Sequence, residues 1–170
     1  MLKRTLLAPL ALLTMVLSAT VVHADPPNEA NGTLTYDLST AEVVSTRLAG
    51  ETLFIDVTIE GSIEGTLSGD IEEAYTVVHH SKTLFNTYRG VLEFEGTVMD
   101  AEGVKHEGSL RLLTRGRQDP GLPVPSATPW YMSWVIVDGS GGLEGVQGHG
   151  TGTLTVDSLV YTGQVHFSGR

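Results

Sequence analysis

A carboxylate, an imidazole and two phenols stand where an aliphatic pattern asks for apolar side chains. Alternate positions from Leu53 read Leu53, Ile55, Val57, Ile59, Gly61, Ile63, Gly65, Leu67, Gly69 and Ile71, and Glu73, Tyr75 and His79 continue the same parity. Tyr88 opens a second such series, Tyr88, Gly90, Leu92, Phe94, Gly96 and Val98, and His106 stands between Val104 and Gly108 in a third. Ionisable groups facing one cavity could exchange protons with a bound molecule, because burial raises a carboxyl pKa and a nearby charge tunes an imidazole. Glu73, Tyr75, Tyr88 and His106 are therefore candidate catalytic residues. A plainer reading puts Glu73 and His79 at a water-filled rim, with Tyr75 and Tyr88 as core residues whose hydroxyls reach the mouth. A bulge near Gly69 would also turn Glu73 outward. Trp130, Met132, Trp134 and Ile136 share one face. Trp130, Met132 and Trp134, with Tyr36, are candidate ligand-binding residues, or simply core.

Other chemistries lack their residues. The chain has no cysteine, no G-x-S-x-G, no P-loop and no H-E-x-x-H. Its glycine-rich stretch is not followed by a helical pattern, so it is not a dinucleotide fingerprint. His79 and His80 are neighbours and point to opposite faces of a strand, while His106, His149 and His166 show no ligand spacing. No metal site and no cofactor are expected.

The elements that would position these groups are strands. From Phe54 to Glu72 the even positions are mostly polar or acidic, and strict alternation of this kind is β-structure. The run exceeds one ordinary strand and is expected to bend between Gly61 and Gly65. Leu34, Tyr36 and Leu38 mark a first strand, and Glu42 to Leu48 is either strand or loose connection. Asp100-Ala-Glu-Gly103 reads as a hairpin turn. Residues 116–129 contain four prolines and no periodicity, which suits a loop covering the mouth. The apolar strand Trp130–Val137 then runs into Gly139-Ser-Gly-Gly-Leu-Glu-Gly-Val-Gln-Gly148, a corner built on glycine. The last strand carries Leu159, Tyr161, Gly163, Val165 and Phe167. The expectation is all-β: an eight-stranded antiparallel barrel, closed because closure removes exposed edges.

Domain organisation follows from the N-terminus and the composition. Lys3 and Arg4 precede an apolar run from Leu6 to Val22, and Val22-His23-Ala24 offers a small-residue cleavage site, so residues 1–24 read as a signal peptide. Residues 25–31 read as a flexible leader and 32–170 as one barrel domain. Beyond residue 24 the chain keeps all 20 acidic residues and eight of the ten basic ones, for a net charge of −12. That charge disfavours nucleic acid and anionic membrane surfaces. Without cysteine the domain has neither disulfides nor a lipid anchor at the cleavage site, and no stable membrane anchor is expected.

The glycine corner after an apolar strand, with Tyr161-Thr-Gly-Gln-Val-His-Phe167 beyond it, resembles the allene oxide cyclase barrels, with plant dirigent proteins carrying a similar corner. The likeness is greatest to a bacterial branch of unknown function, whose pattern also matches Gly61-Ser-Ile-Glu-Gly65 and Tyr88-Arg-Gly-Val-Leu-Glu-Phe-Glu-Gly96. It spans roughly residues 50 to 168. The resemblance implies a calycin-type, eight-stranded barrel around an apolar cavity. It also implies a homo-oligomer, since the plant members are trimers, and a small hydrophobic molecule as partner. The plant cyclase's catalytic residues find no matching positions here.

Three functions are consistent with this reading. The first is a secreted barrel that binds a small hydrophobic molecule. The second is a cofactor-free cyclase or isomerase acting on such a molecule. The third is a structural barrel filled with side chains.

Overall fold

The computed structural model describes residues 27–119 and 129–167. The expected signal peptide and residues 120–128 of the proline-rich segment lie outside the described residues. Eight strands follow in order: β1 (Asn28–Ala49), β2 (Thr52–Gly65), β3 (Leu67–His80), β4 (Phe85–Met99), β5 (Lys105–Arg117), β6 (Trp130–Gly141), β7 (Val146–Thr155) and β8 (Ser158–Phe167). Each pairs antiparallel with its sequence neighbour, and β1 closes on β8 to give a closed barrel. Among the described residues there is no helix.

Alternation builds the ring. Ile59, Ile63, Leu67, Ile71, Leu92, Phe94, Val98, Leu110, Leu112, Met132, Ile136, Leu159 and Val165 all face inward and are buried. Their neighbours Glu60, Glu64, Glu72, Glu93 and Arg111 face water. Burial of one parity on every strand fixes the register, since a one-residue slip would carry the acidic set inside.

Two expectations are corrected, and a third is met. Residues 28–31 are not a leader: they pair with β8 from Asn28↔Val165 to Asn31↔Thr162, and Ala30 is buried. The long alternating run is two strands, as its length predicts, and it turns at Gly65, within the expected 61–65 span, where the φ of +121° suits glycine. Val104 is exposed instead of inward. It belongs to the β4–β5 turn, where its N–H bonds to Asp100 Oδ1 at 2.7 Å. Residues 42–48 are strand, offset from the first half of β1 by a bulge between Asp37 and Glu42. The bulge is pinned by Asp37 Oδ1, which accepts from Ser39 N and Oγ, and by Thr40 Oγ1, which accepts from Glu60 N.

The two ends of the ring differ. One end carries the β2–β3, β4–β5 and β6–β7 connections and is filled by side chains. There Leu143 folds in from the glycine corner and is fully buried in the core. Gly141 and Gly145, both at positive φ, bracket this inward tuck. The other end carries the β1–β2, β3–β4, β5–β6 and β7–β8 connections and holds the site.

Candidate functional site

Glu73 is the centre of the open end. It sits mid-way along β3 on the inward parity and is 1 % exposed. Its carboxylate accepts hydrogen bonds from two hydroxyls brought by other strands. Tyr36 Oη of β1 donates to Oε2 at 2.5 Å, and Thr114 Oγ1 of β5 donates to Oε1. Gly90 of β4 makes room for this arrangement: a Cβ there would lie 2.8 Å from both Glu73 Oε1 and Thr114 Oγ1.

The walls are aromatic. Tyr75 meets Tyr88 edge to face, with centroids 5.8 Å apart, and Tyr88 meets Trp130 in the same way at 5.6 Å. Gly116 seats the Tyr88 ring, since a Cβ there would come within 2.1 Å of Tyr88 Cε1. The cavity between these walls holds about 380 Å³. Ile59, Val77, Met132 and Leu154 complete its apolar lining, and Leu38, on the β1 bulge, stands at its edge. Deeper in the ring a void of about 30 Å³ lies beside Trp134 and Tyr161.

Electrostatics follow from burial. Desolvation pushes the Glu73 carboxyl up, against the two hydroxyl donors that pull it down. Hydrogen bonds to a charged group are worth about 1.5–3 kcal/mol each, comparable with the several kcal/mol that burying a carboxylate costs. Burial raises Tyr36 and Tyr88 well above the ordinary phenol value, with the Glu73 charge adding to it, and it raises Tyr75 for the same two reasons. All three phenols therefore keep their protons and remain donors. The Tyr88 hydroxyl and Trp134 Nε1 are buried without a hydrogen-bond partner among the described residues. Thr114 lies close enough to Tyr88 to oppose the rise in its pKa, but its own hydrogen goes to Glu73.

The structure brings together Glu73, Tyr75 and Tyr88 of the candidate catalytic set, and joins to them Tyr36, Trp130 and Met132 of the candidate ligand-binding set. Trp134 lies one layer deeper, on the small void. His106 is a correction. It lies at the filled end, bonded to Asp100 Oδ2 at 2.7 Å and packed on the Phe167 ring at 4.7 Å. On β4 the partner of His106 is Val98 and the partner of Glu73 is Leu92. Six residues of strand separate them by roughly 20 Å, so they cannot share a substrate. The parity was right in both cases. What pairing by sequence could not show is which end of the ring each residue occupies.

Sequence reasoning missed Thr114, although it follows Leu110 and Leu112 on the same parity. It also missed a polar chain at the rim: His79 Nδ1 lies 2.6 Å from Asn86 Oδ1, and Asn86 Nδ2 donates to Gln118 Oε1 at 2.7 Å. Asn86 and Gln118 are both buried. Among the described residues no three His, Cys, Asp or Glu side chains gather as a metal site would require.

Fold and site together define a class: an all-β ring of eight antiparallel strands, packed at one end and hollow at the other around Glu73, the one buried carboxyl among the described residues. Within the solved structures the chain is similar to a protein of unknown function from the DUF3224 family of Shewanella oneidensis MR-1. The two share 16 % sequence identity and a TM-score of 0.64, over 85 % of this chain and all of that one. At that identity the likeness speaks for the fold alone. No family model matches the chain, and no curated protein does.

Proposed function

We propose that this protein binds a small, largely apolar molecule carrying one polar group in the hollow end of its ring. The observation that carries the reading is the cavity of about 380 Å³, which joins apolar and aromatic walls to two unusual polar groups. Small-molecule sites combine concave apolar lining with few, well-placed polar groups. Here those groups are the Glu73 carboxyl and the Tyr88 hydroxyl, which is buried without a hydrogen-bond partner among the described residues. The same reading takes the chain as an exported member of the allene oxide cyclase-like barrels, on the strength of its glycine corner and its strand order. Native mass spectrometry of protein purified from its own host is the test. One small-molecule adduct per chain is expected, and it should be missing from Val77→Trp protein, whose new ring would fill the cavity. Adduct-free wild-type protein whose tryptophan fluorescence ignores a panel of apolar compounds would refute the reading.

A further inference from the structure

Among the described residues the cavity holds an acidic side chain and no basic one. Glu73 is buried, and among the described residues its carboxylate is met only by two neutral hydroxyls, from Tyr36 and Thr114. No lysine, arginine or histidine is among the described residues that line the cavity, and none contributes to holding Glu73 ionised. Buried carboxylates are ordinarily paired with a cation or a metal. Each carboxylate oxygen has two acceptor positions, and the hydroxyls take one on each, so one on each is left.

The walls around this carboxylate suit a particular kind of cation. Tyr75, Tyr88 and Trp130 meet at interplanar angles of 80° and 86°, forming two near-perpendicular corners, and Tyr36 stands beside them against Glu73. Aromatic faces attract a poorly hydrated organic ammonium through the ring quadrupole, most strongly when several rings enclose it away from water. A metal ion would need more oxygen or nitrogen ligands than one carboxylate offers.

We infer that the ligand of this cavity is an organic cation, an alkylammonium group held by Glu73 and walled by Tyr36, Tyr75, Tyr88 and Trp130. The inference rests on the binding function proposed above and specifies the polar group of its ligand. Binding of such a cation and protonation of Glu73 compete for the same buried charge. The raised pKa of Glu73 therefore predicts that cation affinity falls as pH is lowered into its titration range.

The test uses a matched pair of probes, benzyltrimethylammonium and its uncharged carbon isostere neopentylbenzene, titrated calorimetrically into the full chain. The cation should bind about tenfold tighter or more. Glu73→Gln should bring the cation's affinity down to that of the isostere and leave the isostere unchanged. That variant keeps 19 of the 20 acidic residues, so loss of affinity cannot come from the acidic surface. Wild-type protein gives a second readout that needs no variant: cation affinity falls with pH, and isostere affinity does not. If both probes bind equally and independently of pH, the cation is overturned while the apolar-ligand reading stands. If neither probe binds, both are overturned.

Discussion

Tyr36 and Glu73 meet across the width of β2. The phenol of β1 donates to the carboxylate of β3 at 2.5 Å, joining residues 37 apart in the chain. The two strands are not paired in the sheet, so this bond forms because the ring curls β1 and β3 toward a common interior. It gives a buried carboxylate a charge-assisted donor, and such bonds are short and strong. It also fixes the carboxylate's direction, with Thr114 holding its other oxygen.

The carboxylate should reveal itself in stability measured against pH. Burial raises the folded-state pKa of Glu73 above its ordinary value of 4.5. Between those two values the folded chain holds more protons than the unfolded chain, so stability falls as pH rises through the interval and then levels. Glu73→Gln has no proton to lose there. Urea midpoints of the two proteins should diverge as pH climbs above 4.5, with wild type losing ground; parallel curves would mean that the carboxyl is not perturbed.

Gly116 should not tolerate a methyl group. Its Cβ would fall 2.1 Å from Tyr88 Cε1, and the Tyr88 ring is held by Tyr75 on one side and Trp130 on the other. Gly116→Ala is expected to cost about 1–3 kcal/mol through overpacking and to change Trp130 fluorescence as the ring stack shifts. Chemical denaturation and emission spectra of the same sample check both; an unshifted spectrum at full stability would mean that Tyr88 does not lie on Gly116.

Register can be tested at two adjacent positions. Ile63 is 7 % exposed and Glu64 is on the outer face. Ile63→Asp buries an unpaired charge and should prevent folding. Glu64→Lys should change stability by no more than about 0.5 kcal/mol. Thermal unfolding followed by circular dichroism distinguishes them, and equal effects would contradict the alternation.

Processing is expected at Ala24, so that the exported protein starts at Asp25. N-terminal sequencing of secreted material reads this directly. A chain beginning at Met1 and held in the membrane fraction would show an uncleaved anchor instead.

Alternation of apolar and polar residues was enough to announce the strands, their number and the inward parity of Glu73, Tyr75, Tyr88 and His106, because a strand turns successive side chains to opposite faces whatever surrounds it. The glycines were legible as special but not in their role. Gly90 and Gly116 leave space for Glu73 and Tyr88, and Gly150 lies under the Trp134 ring, where a Cβ would approach Cζ2 to 2.4 Å. Which side chain uses such a gap depends on the neighbouring strand and not on the glycine's own segment. The separation of His106 from Glu73 was likewise settled by pairing: parity assigns a face, whereas register assigns a height, and register comes from hydrogen bonds between strands distant in the chain. Residues 28–31 joined the ring for the same reason, since β8 supplies the partner that their own polar sequence does not advertise.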